Sequence, residues 1–198
     1  SVVKMITRFR ENLIAVSADI RKFYNTLKLS PEHWKYQMAL WRPNLDPNEE
    51  PEELVLRVHF YGIRSSGGLC MAAVKKLISM AKEEGFTKIA QVLESAYVDD
   101  CNASVACIEE LEEVKQNMPE FMRQHGMPIK ALAWTGEEAP KELSEDGSIN
   151  VAGYSWNPKT DKMKVTLPKI FHGEKKKGKF TPETVFFNKE ASLENITE

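Results

Sequence analysis

Cysteine and histidine, the residues that build zinc sites and disulfide frameworks, are scarce in this sequence. Three cysteines and four histidines occur among 198 residues, and no two of them stand at the spacing of zinc ligands. An odd, low number of cysteines excludes a disulfide framework and favours reduced thiols. The sequence therefore predicts an intracellular protein without a zinc site.

Long apolar runs and a strong net charge are also missing. No apolar run approaches the ~20 residues that a membrane span needs, and no signal peptide is recognisable, so we expect no membrane partner. The net charge of −2 gives no overall basic field of the kind that attracts nucleic acid. A domain whose acidic centre cancels basic walls would also be near neutral. The length and the 42% of apolar residues are enough for one globular domain with a core.

A pair of adjacent aspartates, Asp99 and Asp100, is the most informative feature. It lies between two apolar stretches, which predicts a strand, a two-aspartate turn and a second strand. An isolated pair of this kind is more often a solvated turn than a metal site. Here a second short apolar run, residues 13–18, ends at Asp19. If the strands lie side by side, three carboxylates meet, and like charges raise one another's pKa values unless a cation neutralises them. Oxygen ligands suit magnesium or manganese.

The rest of the chain alternates helical and strand patterns. The pattern predicts an α+β fold, with a mostly antiparallel sheet backed by helices on one face and the acids on the other, open face. A glycine- and serine-rich loop at residues 61–68 is expected to open a helix. The other predicted elements are a helix ending near residue 9, strands 36–41 and 54–60, helix 107–125, strand 129–134 and a hairpin of strands 151–156 and 163–167.

Three segments, in this order, resemble the polymerase motifs of reverse transcriptases. Residues 18–24 (Ala-Asp-Ile-Arg-Lys-Phe-Tyr) resemble motif A, residues 60–66 (Phe-Tyr-Gly-Ile-Arg-Ser-Ser) resemble motif B, and residues 97–100 (Tyr-Val-Asp-Asp) resemble motif C. Residues 152–156 are similar to the primer-grip hairpin. Within this family the likeness is to the Pao/BEL group of LTR retrotransposons. It rests on residues 18–20, 97–101, 153–161 and 178–187 and spans about residues 13–187.

This resemblance implies a polymerase palm and a metal site. The activity would be that of an RNA-directed DNA polymerase, which transfers a nucleotide from a dNTP to a primer 3′-hydroxyl with two Mg²⁺ or Mn²⁺ ions. By the resemblance, Asp19, Asp99 and Asp100 would bind the ions, together with the carbonyl of Ile20.

The resemblance also implies roles around the substrates. Tyr24 matches the steric gate that excludes a 2′-hydroxyl. Gly62 and Arg64 lie where motif B meets the incoming nucleotide and the template, and Tyr97 is expected at the substrate. Lys130 matches the motif D lysine that protonates the pyrophosphate leaving group. One departure is that the Ser-Pro of motif B in many relatives is Ser-Gly here, at residues 66–67.

The same resemblance suggests a domain organisation. Residues 1–167 would form the palm with part of the fingers, and residues 168–198 would be a basic and polar segment leading towards a thumb. Most of the fingers is expected before Ser1, and a thumb, a connection and an RNase H domain after Glu198, in a parent polyprotein. The partners would be an RNA template, a DNA primer and dNTPs, in a cytoplasmic particle with nuclear activity.

Two other interpretations stay open at this point. The first is a truncated or domesticated palm that binds nucleic acid or protein without catalysis, although the intact aspartates count against decay. The second is an RNA-dependent RNA polymerase. An aromatic residue at Tyr24 and the Tyr-x-Asp-Asp form of motif C count against it.

Overall fold

The computed structural model describes residues 2–144, 146–165 and 186–187. The basic run 175–179, most of the predicted segment 168–198 and residues 166–167 of the predicted last strand lie outside the described residues. The helices are α1 (Val2–Arg10), α2 (Ser66–Glu83), α3 (Thr87–Glu94) and α4 (Ile108–Gln124). The strands are β1 (Ile14–Ile20), β2 (Met38–Trp41), β3 (Glu52–Val55), β4 (Ala96–Tyr97), β5 (Asp100–Val105), β6 (Ile129–Trp134), β7 (Ile149–Val151), β8 (Tyr154–Asn157), β9 (Lys162–Val165) and β10 (Phe186–Phe187). Two short 3₁₀ helices, Phe23–Thr26 and Pro31–Tyr36, follow β1.

A central antiparallel sheet organises the fold. Its strand order is β4-β5-β1-β6, and every neighbouring pair is antiparallel. Alternate residues of β1, namely Val16, Ala18 and Ile20, enter one core with apolar residues of α2, α3 and α4. Successive side chains of a strand point to opposite faces, so the intervening residues of β1 face away from these helices. The predicted α+β class with an antiparallel sheet is confirmed. The prediction that the helices lie on one face is only partly right, because α1 packs on the opposite face, where Met5 and Arg8 contact Asn102 and Ser104 of β5.

The sequence predicted that the opposite face of the sheet is open. In the structure, part of this face is covered. Phe9 of α1 and Ala15 of β1 belong to a second core with Trp156 and other residues of a separate sheet, whose order is β10-β9-β8-β7. The Phe9 and Trp156 rings meet edge to face, with centroids 4.9 Å apart. The expectation of a fully open face failed because burying these two large aromatic side chains is favourable. The end of the face that carries Asp19 faces a cavity.

Several predicted boundaries are also wrong. Strand 36–41 begins only at Met38, and strand 54–60 is limited to β3, which pairs with β2 in an exposed hairpin. Gly67 and Gly68 lie inside α2 and not in the preceding loop. The predicted strand 151–156 is divided by a turn at Ala152 and Gly153, both at positive φ. Local composition marked these segments, but pairing and packing set their ends.

No helix in the described part of the chain combines the length and the apolar character needed to cross a membrane. None of the three cysteines, all of which the structure describes, forms a disulfide.

The helix-backed core predicts a clear contrast between two leucines. Leu93 of α3 is 1% exposed, whereas Leu69 of α2 is 45% exposed. Leu93→Ala should lower the free energy of unfolding by about 2–5 kcal/mol, because it removes buried methyl groups and leaves a cavity. Leu69→Ala is the matched helical control and should cost less than about 1 kcal/mol. Urea denaturation measures both, and equal effects would contradict this packing.

Candidate functional site

Two carboxylates face each other across the centre of the main sheet. The antiparallel register of β1 and β5 pairs Asp19 with Asp100 and, two residues further on, Ser17 with Asn102. Directly opposed residues share a face, with Cβ atoms about 5 Å apart. Since Ala18 and Cys101 point into the helical core, Asp19 and Asp100 lie on the other face.

The third aspartate sits in the turn that joins β4 to β5. Tyr97 pairs with Asp100, so the two-residue turn consists of Val98 and Asp99. The prediction that both aspartates form the turn is therefore wrong, because Asp100 is already the first residue of β5. Val98 has a φ of 60°, which is rare for a β-branched residue. The backbone NH of Ile20 donates to the Asp99 carbonyl over 2.8 Å, and this bond holds the turn against the end of β1.

Burial and mutual repulsion weaken the acidity of this group. Burial, followed by the charges of Asp99 and Asp19, raises the pKa of Asp100 to about 6. Burial and the charge of Asp99 also raise the pKa of Asp19, while the nearby Lys130 ammonium opposes that rise. Repulsion of this kind is expected where carboxylates meet without a neutralising cation. The three aspartates and Lys130 thus form one electrostatic unit.

A cavity of about 420 Å³ opens at the acids. From the main sheet it is lined by Asp19, Tyr97, Asp100 and Lys130, of which Tyr97 is 53% exposed. Its other lining residues come from α1, β1 and the region around β7 and its turn: Met5, Ser17, Leu143, Ile149, Asn150, Ala152 and Gly153. The cavity therefore lies between the two sheets. The carboxylates of Asp19 and Asp100 form one wall, and the turn of Ala152 and Gly153 forms part of the other.

A buried polar pair lies beside the acids and was not predicted from the sequence. The Ser17 hydroxyl donates to the Asn102 side-chain carbonyl over 2.8 Å, and both residues are buried. The sequence does contain a sign of this pair: Ser17 and Asn102 each stand two positions from an aspartate, and residues two apart on a strand point to the same face. Asn150 had no local signal, because only the packing of the second sheet brings it to the cavity.

Several predicted site residues lie elsewhere. Tyr24, Gly62 and Arg64 are not among the residues that line this cavity. The Tyr24 ring packs edge to face on Phe23, with centroids 5.4 Å apart, and Gly62 and Arg64 are exposed before α2. The Ile20 side chain is 1% exposed in the core, so only its backbone could serve a ligand. The substrate roles of these residues stay predictions.

The donor chemistry of the acids fits a hard divalent cation, since carboxylate oxygens are the ligands that magnesium and manganese prefer. Within residues 2–144 and 146–165, however, no group of three or more His, Cys, Asp or Glu side chains is arranged as a metal site. Asp99 is absent from the cavity lining. The acids are thus close enough to interact, but they do not form a closed ligand set.

The neighbouring thiols offer no competing chemistry. Burial and the adjacent carboxylates raise the pKa of Cys101 to about 12, and burial raises that of Cys70. A protonated, buried thiol is a poor nucleophile and a poor metal ligand. The reactive character of this region therefore lies with the carboxylates and Lys130.

A scan against protein-family models gives no match for this chain, and a search of curated proteins gives no significant match. Neither comparison assigns the chain to a family.

The raised pKa of Asp100 predicts a pH-dependent stability. As pH rises, the unfolded chain loses this proton first, near the ordinary pKa of 3.8, and the folded chain loses it near 6. Without divalent cations, the contribution of Asp100 to the free energy of unfolding should therefore fall between about pH 4 and pH 6 and stay low above that range. Asp100→Asn should raise the melting temperature by a few degrees at neutral pH. The difference should vanish below about pH 3, where both states keep the proton, and a less stable variant at neutral pH would contradict the raised pKa of Asp100.

Proposed function

We propose that this chain carries the palm of an RNA-directed DNA polymerase of the reverse transcriptase type, resembling the Pao/BEL group. It would transfer a nucleotide from a dNTP to a primer 3′-hydroxyl on an RNA template. One observation supports this most directly: Asp19 of the motif A segment pairs across the sheet with Asp100 of the motif C segment. Two segments far apart in the sequence thereby bring their acids to one cavity, as the resemblance requires.

The residues at the cavity and those beside it have distinct parts in this proposal. Asp19, Asp99 and Asp100, with the Ile20 carbonyl, would hold magnesium or manganese, which when bound activates the primer hydroxyl and neutralises the triphosphate. The mutual repulsion of the carboxylates favours a cation over an apolar or anionic ligand. The exposed Tyr97 ring at the cavity edge can pack against a base or sugar of the substrate.

Lys130 is placed to donate a proton to the pyrophosphate leaving group. It extends from β6 into the same cavity, and its charge acts on Asp19. Its Nζ can donate a proton to the departing pyrophosphate, since transfer from a positioned ammonium group lowers the barrier to leaving. Until then, its positive charge partly offsets the repulsion between the acids.

A specific observation also favours a second function, a non-catalytic module that binds nucleic acid or protein. Across the part of the chain that the structure describes, no three ligating side chains form a ready metal site. Such a module would bind a primer–template without incorporating nucleotides at any Mg²⁺ or Mn²⁺ concentration.

Asp99→Asn separates the two functions. Mn²⁺ binding is measured by titration calorimetry, and primer extension is measured with dNTPs on an RNA template. The variant should weaken Mn²⁺ binding and lower incorporation on the order of a hundredfold or more, because a metal ligand is lost.

The matched control is Asp146→Asn, an exposed aspartate whose side-chain oxygen caps a turn. The amide keeps that acceptor oxygen, so binding and incorporation should stay at the parent level. Binding of primer–template by the parent protein without any incorporation would instead support the module. A preference for NTPs over dNTPs would point to an RNA polymerase.

Compared with Asp99→Asn, Lys130→Gln should have the opposite effect on Mn²⁺ affinity and a similar effect on the rate of incorporation. Removing a positive charge beside Asp19 should strengthen Mn²⁺ binding, because the carboxylates lose a competing cation. The kcat for incorporation should fall about a hundredfold or more, the usual contribution of a general acid. Single-turnover extension measures the rate, and an unchanged kcat would remove Lys130 from the chemistry.

A further inference from the structure

A carboxylate outside the acidic cavity ties the two sheets together. Asp161, in the turn between β8 and β9, accepts three hydrogen bonds on the same oxygen, Oδ1. The donors are Arg10 of α1 at 2.6 Å, the Trp156 indole NH at 3.0 Å and the Thr135 hydroxyl at 3.3 Å. The Asp161 side chain is only 20% exposed and that of Arg10 only 19%. A partly buried, charge-assisted bond of this kind is stronger than a surface ion pair.

Thr135 passes this connection on to the central strand. Its hydroxyl accepts the backbone NH of Ala15 over 3.0 Å, and its own NH donates to the Ala15 carbonyl over 3.0 Å. Ala15 lies four residues before Asp19 on β1. Thr135 thus links the Asp161 carboxylate by hydrogen bonds to β1, the strand that carries Asp19.

Trp156 passes the same connection on to the second sheet. Its side chain is fully buried against Phe9, and its single NH is satisfied by Asp161. Loss of that acceptor would leave a buried donor without its partner, which is costly. Trp156 lies on β8, whose other end leads into the turn of Ala152 and Gly153. At ~3.3 Å per residue, that turn lies roughly 10 Å from Trp156.

The position of this turn matters because Ala152 and Gly153 line the cavity opposite Asp19 and Asp100. The residues of the second sheet that line the cavity all come from β7 and this turn, and the sheet is anchored at its far end by Asp161. A shift of the second sheet would therefore change the width of the cavity without altering the acids.

We infer that Asp161 is a positioning residue: its carboxylate fixes the second sheet on the first and thereby sets the place of the Ala152–Gly153 turn over the acids. The consequence for catalysis rests on the proposed function. The turn would hold the substrate strand against the acids, so that loss of Asp161 weakens substrate binding more than it slows the chemical step.

Hydrogen exchange tests the structural part without any activity. Asp161→Ala should raise amide exchange in residues 149–157, while residues 14–20 and 100–105 keep the parent rate. Asp161→Asn keeps an acceptor for Trp156 and Thr135 and should show a smaller rise. The matched control is Lys159→Gln, which breaks an exposed ion pair with Glu138 in the same hairpin turn and should change nothing. Unchanged exchange in 149–157, or an equal rise throughout the chain, would overturn the inference.

Primer extension tests the consequence. For Asp161→Ala the KM for primer–template should rise on the order of tenfold, with kcat changed less than about twofold, and Asp161→Asn should recover part of the loss. A fall in kcat at unchanged KM would overturn the positioning role. If the parent protein shows no incorporation, the proposed function fails, whereas the exchange result still decides whether Asp161 places the turn.

Discussion

The pairing of β1 with β5 is the constraint on which the candidate site depends. Its register places Asp19 opposite Asp100, while Ala18 and Ile20 beside Asp19, and Cys101 after Asp100, are buried in the helical core. A shift of β1 by one residue would turn the Asp19 carboxylate to the other face, away from Asp100. Burial raises the pKa of Asp100 most, and the charges of Asp99 and Asp19 raise it further. The core thus holds like charges together against their repulsion. A bound cation would relieve it.

The second sheet turns this acidic patch into a cavity. Burial of Phe9 and Trp156 between the layers covers this face around Ala15 and Ala133, and the hydrogen bonds to Asp161 fix how the layers meet. The acids lie where this cover ends. One part of the face, around Ala15, is therefore used for packing. The other part, at Asp19 and Asp100, lines a cavity that can receive a ligand.

The sequence was most informative where local pattern and packing agree. The strand ending at Asp19, helix α4 and strand β6 were predicted within a few residues, because each carries a regular apolar period. Asp100 was misplaced because an Asp-Asp pair has good turn propensity, whereas the register assigns the turn to Val98 and Asp99. The cavity wall at Asn150 and the role of Asp161 depend on contacts between distant segments. Single-sequence patterns carry no signal for such contacts.

The central claim is that the three aspartates form a binding site for divalent cations. A crystal of this chain grown with Mn²⁺, with its anomalous scattering measured, tests that claim most directly. The account predicts Mn²⁺ bound by carboxylate oxygens of Asp19 and Asp99, with Asp100 beside them in the same cavity. Carboxylates that stay without Mn²⁺ at saturating concentration, or that turn away from one another, would contradict it.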